Sequence, residues 1–128
     1  MGGRRLILLD THVFIWWRQD APRLKAEARD AIARADLVYV SAASAWEAAL
    51  KVALGKLRIP GPFEEAVADS HFTKLLIDFD HAAAAAGLPA HHTDPFDRML
   101  IAQARLEGLT MVTHDRNFGP YDVPLIWT

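Results

Sequence analysis

Four acidic residues are placed where they could bind a metal ion and act on a phosphate group. Each follows an apolar run or lies in the first turn of a predicted helix; they are Asp10, Glu47, Asp97 and Asp115. Two bare carboxylates about 4 Å apart repel by roughly 4 kcal/mol at an effective dielectric constant near 20, so a converging set requires a cation. Oxygen ligands in a chain without cysteine favour Mg²⁺ or Mn²⁺ over zinc.

Helix capping offers a second explanation for two of these acids. Glu47 completes a capping box, Ser44-x-x-Glu47, and could also pair with Lys51 one turn later. Asp97 would be the N3 partner of an Asp94 N-cap. For an acidic residue considered alone, helix capping is the commoner role. The case for a metal site therefore depends on where the acids lie relative to one another.

The positions of Asp97 and Asp10 in the predicted elements favour a functional site over helix capping. Asp97 shares a helical face with the apolar residues Ile101 and Ala104, which puts its carboxylate at the edge of the buried side. Asp10 ends a strand predicted to be buried on both faces, a position that argues against a helix cap and for a functional residue.

The elements that must position these acids alternate along the chain. Near-continuous apolar runs predict strands, and apolar residues at helical spacing with Pro, Asp or Ser starts and Gly ends predict helices. The predicted strands cover residues 6–9, 37–40, 75–77, 110–113 and 124–127, and the helices 22–35, 44–55, 63–70, 80–87 and 94–107. This order predicts an α/β fold with a parallel sheet, helices on both faces and ligands at the carboxyl ends of the strands.

Composition limits the class of protein. A chain of 128 residues with 52% hydrophobic and 23% charged residues predicts a single domain over residues 1–128. The absence of cysteine excludes disulfides and thiolate metal sites and fits a cytoplasmic location. A net charge of -2 means that any nucleic-acid contact must be local. No run approaches the roughly 20 apolar residues of a membrane span, and no secretory leader is expected.

Four segments that carry the acids match a known family. They are LLDTH at 8–12, SAASAWE at 41–47, DPFDRMLIAQA at 94–104 and VTHD at 112–115, of which the third is the most specific. In these segments the chain resembles the PIN-domain ribonucleases, and within them the VapC-type toxins of bacterial toxin–antitoxin pairs. The resemblance covers essentially the whole chain.

The resemblance implies a three-layer α/β/α fold with a mostly parallel five-stranded sheet and a Mg²⁺- or Mn²⁺-dependent endoribonuclease. Asp10, Glu47, Asp97 and Asp115 match its acidic metal site. Asp94 matches a fifth acid of the family, which we expect mainly to cap its helix. Thr11 and Thr113 match hydroxyl positions near the acids, and Arg98 matches a basic position beside them.

From this we expect one or two cations to activate a water for in-line attack at phosphorus, leaving 5′-phosphate and 3′-hydroxyl ends. Arg98 and Arg116 could contact the RNA phosphate or form exposed salt bridges instead. The residues do not indicate which RNA is cut.

The family also implies partners. A VapB-type antitoxin would dock a C-terminal segment over the acids, and the toxin would be a homodimer. The aromatic residues Phe14, Trp16 and Trp17 next to Asp10 could form the partner groove or pack in the core.

Histidines leave other chemistries open. The pattern His91-His92-x-Asp94 could bind zinc, but adjacent side chains do not project to one face, so a solvated turn is favoured. A histidine-pair ribonuclease, drawing on residues such as His12 and His114, would leave 2′,3′-cyclic phosphate ends. A catalytically silent metal-binding or protein-interaction module on the same fold is the alternative to an enzyme.

Overall fold

The chain alternates strands and helices from end to end. The computed structural model describes residues 4–128. In chain order the elements are β1 (Leu6–Leu9), α1 (Thr11–Gln19), α2 (Ala26–Arg34), β2 (Leu37–Ser41), α3 (Ala42–Ala53), α4 (Phe63–Asp69), β3 (Thr73–Leu75), α5 (Phe79–Gly87), α6 (Pro95–Glu107), β4 (Thr110–Thr113), a 3₁₀ turn (Arg116–Phe118) and β5 (Leu125–Trp127).

The five strands form one sheet in the order β3-β2-β1-β4-β5, and every pair is parallel. The central strand is β1, where Leu8 lies opposite Tyr39 on one side and Met111 on the other. The carboxyl ends of β2, β1 and β4 are therefore neighbours at one edge of the sheet.

Two hydrophobic cores lie on opposite faces of this sheet. Ile7 and Leu9 belong to a core built with α1, α2 and α4, whereas Leu8 belongs to a core built largely with α6. Successive residues of a strand point to opposite faces, so a strand covered on both sides is apolar throughout. The three-layer α/β/α prediction is confirmed.

One helix was not predicted. Residues 11–19 form α1, whose Phe14 and Trp16 are buried and whose Trp17 packs against the same core. The prediction that these aromatics pack in the core is confirmed. Apolar residues at positions 13, 14, 16 and 17 have helical spacing, which is the signal that indicates this helix.

The other differences are in boundaries. Helix α2 begins at Ala26 instead of 22, helix α3 at Ala42 instead of 44, and β3 covers Thr73–Leu75 instead of 75–77. Strands β1 and β4 have the predicted limits. Among the described residues 4–128, no helix is both long enough and apolar enough to cross a bilayer.

Candidate active site

The four acids come from segments that meet at the carboxyl edge of the sheet. Asp10 directly follows β1, and Asp115 lies two residues beyond β4. Glu47 is in the second turn of α3, which follows β2, and Asp97 is in the first turn of α6. Adjacent parallel strands thus bring together residues that are far apart in the chain.

Asp10 is almost fully buried and both of its oxygens are held. Its Oδ1 accepts the Val13 backbone N–H at 3.1 Å, and its Oδ2 accepts the Thr113 hydroxyl at 2.5 Å. The first bond makes Asp10 the N-cap of α1, so the expectation that a strand-ending residue cannot be a cap is wrong: α1 starts without an intervening loop. Burial raises the pKa of this carboxyl, and the two hydrogen bonds oppose the rise.

Glu47 is also buried and has two partners. Its Oε1 accepts the Thr11 hydroxyl at 2.6 Å, and its Oε2 lies 2.7 Å from the Lys51 ammonium, which confirms the pair one turn apart. The predicted capping box is wrong because the N-cap of α3 is Ser41, three residues before Ser44, and its hydroxyl accepts the N–H of Ala43.

Asp97 lies among other carboxylates. Its backbone N–H donates to Asp94 Oδ1 at 3.0 Å, which confirms Asp94 as the N-cap of α6. Burial raises the pKa of the Asp97 carboxyl to about 7; the nearby charges of Asp94, Asp10 and Glu47 add to the rise, and a hydrogen bond with His92 opposes it. Burial is the main cause of this rise, and the neighbouring carboxylates add to it because like charges disfavour the ionised form.

Asp115 is the most exposed of the four. Its backbone N–H donates to Thr113 Oγ1 at 3.0 Å, and its Oδ1 caps the 3₁₀ turn by accepting the N–H of Asn117 at 2.9 Å. The free oxygen, Oδ2, lies 3.7 Å from His92 Nε2. Thr113 therefore connects the acid after β1 to the acid after β4.

The donor set fits a divalent cation. His92 Nε2 and one carboxylate oxygen each from Asp97 and Asp115 all lie within 4.8 Å of one another. Asp10 and Glu47 are close enough to affect the pKa of Asp97. Oxygen-rich groups of this kind suit Mg²⁺ and Mn²⁺.

A second group with cation-compatible spacing, Asp78, His81 and Glu107, lies elsewhere. Glu107 is ten residues along α6 from Asp97, which corresponds to about 15 Å of helix. His81 Nδ1 accepts the Asp78 N–H at 3.1 Å, and its Nε2 lies 2.9 Å from Glu107. One ring nitrogen thus caps α5 and the other links α5 to α6, which is a structural role.

The two arginines predicted near phosphate have partners within the protein. Arg116 lies over the Trp127 ring, with its guanidinium carbon 4.4 Å from the ring centroid. Arg98 donates from both terminal nitrogens to four backbone carbonyls in the last turn of α5 and in the loop that follows it, those of Ala85, Leu88, Pro89 and His92. Phosphate contact stays a prediction for both, and the bonds of Arg98 indicate that it holds a loop in place.

His92 was not predicted to be a site residue. Its side chain is only 12% exposed, and Nε2 lies 2.8 Å from Asp97 Oδ2, so the solvated-turn prediction is wrong for this residue. His91 points elsewhere, with its ring 5.3 Å from that of Tyr121. Adjacent histidines indeed do not share a face. The position of His92 just before the α6 N-terminus was the available signal, because that terminus carries Asp97.

Two other histidines lie on the side of the site near Asp10. The rings of His12 and His114 are 6.1 Å apart, and the His114 ring is 4.7 Å from that of Trp16. A histidine-pair mechanism therefore remains a distinct chemical alternative, which analysis of the product ends would identify.

Comparisons with known proteins agree with this architecture. The family model described as PIN domain matches residues 7–123. Ribonuclease VapC22 of Mycobacterium tuberculosis is 33% identical over 122 residues, covering 92% of this chain and 93% of that protein.

Solved structures match over a similar length. VapBC2 from Rickettsia felis, bound to a DNA fragment from their promoter, gives a TM-score of 0.70 at 13% identity, covering 94% of this chain and 97% of that chain. FitAcB from Neisseria gonorrhoeae gives a TM-score of 0.67 at 25% identity, covering 94% of this chain and 96% of that chain.

Proposed function

Since the chain belongs to the PIN domain family and to its VapC-type ribonucleases, we propose that it cleaves RNA with a bound Mg²⁺ or Mn²⁺. The reaction is hydrolysis of a phosphodiester bond that leaves 5′-phosphate and 3′-hydroxyl ends. The observation that carries this proposal is the convergence of Asp97, Asp115 and His92, whose ligand atoms lie within 4.8 Å of one another, beside the buried carboxylates of Asp10 and Glu47.

The acids have different surroundings, and these suggest different roles. Asp97 and Asp115 each place a carboxylate oxygen within 4.8 Å of the other and would hold the cation. Asp10 would be a further ligand, oriented by Thr113. A divalent cation bound there supplies Lewis-acid activation of the attacking water and neutralises the charge that develops at the phosphate.

Glu47 is suited to orient a water. The Thr11 hydroxyl and the Lys51 ammonium hold its two oxygens, so the carboxylate is fixed in place and its charge is partly balanced. A fixed carboxylate at the edge of the site can accept a hydrogen bond from the attacking water and direct it at phosphorus.

Cleavage of total bacterial RNA tests the proposal. The purified chain is incubated with Mg²⁺ or Mn²⁺, with chelator, or as the Asp10→Asn variant, and the ends of any fragments are identified. Asparagine can still accept the Val13 N–H, so this variant should fold. Its loss of activity should exceed the roughly 100-fold typical of removing a residue that supports a metal ligand.

Cleavage that survives both chelator and the variant would exclude the acidic-site mechanism. Fragments with 2′,3′-cyclic phosphate ends would instead favour the histidine pair near Asp10. A folded, metal-binding chain with no cleavage would favour the silent module, for which the capping roles of Asp10, Asp94 and Asp115 provide a structural reason.

We also propose that the chain is the toxin of a toxin–antitoxin pair and acts as a homodimer. The support is its similarity to ribonuclease VapC22 and to the VapBC2 structure. Co-expression with the adjacent open reading frame should relieve toxicity, and the two proteins should copurify. Failure of both would refute the antitoxin proposal, and a monomer in light scattering would refute the homodimer.

A further inference from the structure

His92 reaches into the acidic site although the proposed reaction assigns it no role. Its Nε2 lies 2.8 Å from Asp97 Oδ2 and 3.7 Å from Asp115 Oδ2. The side chain is 12% exposed, compared with 17% for Asp97 and 30% for Asp115. The imidazole nitrogen therefore shares the same small space as the two carboxylates.

Contacts outside the acids hold His92 in this position. Its backbone N–H donates to the Tyr121 hydroxyl at 2.8 Å, and that hydroxyl donates to the Pro89 carbonyl at 2.7 Å. Its own carbonyl accepts a hydrogen bond from Arg98 at 3.1 Å, and its ring packs edge-on against Phe118. These contacts fix the backbone of His92, and the ring is held between Phe118 and the hydrogen bond to Asp97.

The distances suit three ligands of one ion. Ligand atoms about 2.1 Å from a common cation lie about 3 Å apart when adjacent and about 4.2 Å apart when opposite. The two distances from His92 Nε2, 2.8 and 3.7 Å, fall close to or within this range. Little movement is needed for all three residues to bind the same ion.

We propose that His92 Nε2 is a direct ligand of the cation held by Asp97 and Asp115, an inference that rests on the proposed metal-dependent function. Mn²⁺ and Mg²⁺ both accept carboxylate oxygens, but Mn²⁺, a transition-metal ion, accepts an imidazole nitrogen more readily than Mg²⁺ does. The site therefore selects Mn²⁺ over Mg²⁺, and His92 is the residue that produces this preference.

Metal binding to the full-length chain, measured without RNA, tests the inference. Mn²⁺ and Mg²⁺ affinities are determined by calorimetry for the unaltered chain and for His92→Ala, His92→Gln and His91→Ala. His91 is the matched control because it is the adjacent, exposed histidine whose ring lies against Tyr121. The backbone contacts of His92 do not need its side chain, and melting curves establish that each variant folds.

We expect both His92 variants to bind Mn²⁺ about 10- to 100-fold more weakly, with Mg²⁺ affinity unchanged within about threefold. His91→Ala should match the unaltered chain. Pulsed electron paramagnetic resonance of bound Mn²⁺ should show coupling to an imidazole ¹⁴N that both His92 variants lose and His91→Ala keeps.

Two results would overturn the inference. One is Mn²⁺ that binds the unaltered chain without ¹⁴N coupling, or with coupling that persists in the His92 variants. The other is unchanged or tighter Mn²⁺ binding after His92 is replaced, which would make the histidine a competitor of the cation. The RNA assay separates these outcomes from failure of the proposed function, because metal-dependent cleavage can persist with oxygen ligands alone.

Discussion

The Thr113 hydroxyl forms hydrogen bonds with two of the acidic residues. It donates to Asp10 Oδ2 at 2.5 Å and accepts the Asp115 backbone N–H at 3.0 Å, and the side chain is completely buried. A hydroxyl in this position fixes the orientation of one proposed ligand relative to the other. It also stabilises the charged form of Asp10, which burial disfavours.

Thr113→Val should therefore weaken metal binding. Valine has nearly the same shape but cannot donate, so the pKa of Asp10 rises further and metal affinity and cleavage fall by about 10- to 100-fold. Calorimetry with Mn²⁺ and RNA cleavage measure both effects. Thr113→Ser keeps the hydroxyl and is the control; if valine and serine behave alike, the hydroxyl does not orient Asp10.

Asp97 gives the metal-free protein a specific pH dependence. Its pKa is about 7 in the folded chain against an ordinary value of 3.8, so the folded state binds this proton more tightly than the unfolded state. Stability is therefore lost as pH rises from about 4 to about 7, by at most about 4 kcal/mol for the full shift.

Asp97→Asn should remove this loss. Without metal, the variant should melt several degrees above the unaltered chain at pH 8, and the difference should shrink toward pH 4. Asp30→Asn, at an exposed position on α2, is the control and should leave the profile unchanged. Parallel melting profiles for the Asp97 variant and the unaltered chain would contradict the assignment.

At the scale of elements, Arg98 organises the connection between α5 and α6. Its four bonds to backbone carbonyls satisfy groups at the end of α5 and in the loop that carries His92. Loop carbonyls without a partner are costly, and the planar guanidinium can reach several of them together.

Arg98→Ala should lower the free energy of unfolding by roughly 2 kcal/mol or more. Arg98→Lys should recover little of this, because an ammonium cannot reproduce the fork of donors. Denaturant unfolding measures both variants. Arg105→Ala, at an exposed position on the same helix, should change stability by less than about 0.5 kcal/mol. Full stability in the lysine variant would show that charge alone is required.

The junction of β1 and α1 explains one failure of the sequence analysis at this scale. Asp10 ends the strand and caps the next helix at the same time, with no loop between the elements. The prediction treated the end of a strand and the cap of a helix as alternatives, so it excluded a residue such as Asp10 that is both. The helix was not predicted, although its aromatic residues were considered either as a partner groove or as part of the core.

At the scale of the whole molecule, the site exists only when the sheet is assembled. The acids follow β1, β2 and β4 or begin α6, so an unfolded chain does not hold them together. A cation that binds the folded state alone stabilises it by mass action.

Saturating metal should therefore raise the melting temperature. At a free Mn²⁺ concentration 100 times the Kd, the free energy of unfolding should increase by about 2.7 kcal/mol. Differential scanning calorimetry with Mn²⁺ and with chelator measures the change, and Asp10→Asn should show a smaller shift. An unaltered melting temperature at saturation would mean that the ion also binds the unfolded chain or does not bind at all.

The sequence by itself determined the acids and every element except α1 and the short 3₁₀ turn. The limits of β1, β4 and α6 follow from local features: the length of an apolar run, a proline after Asp94, and Gly108 with a φ of 69°. Because parallel strands end at a common edge, these limits were sufficient to place Asp10, Asp97 and Asp115 together.

Only the tertiary structure decided what surrounds each acid. Thr11 and Glu47 are 36 residues apart, and Thr113 and Asp10 are 103 residues apart, yet each pair shares a hydrogen bond. Such contacts depend on how a helix is rotated against the sheet, which local propensities do not specify. The same reason explains His92: adjacent histidines are equivalent in the sequence, and only the packing of their loop directs one of them toward the carboxylates.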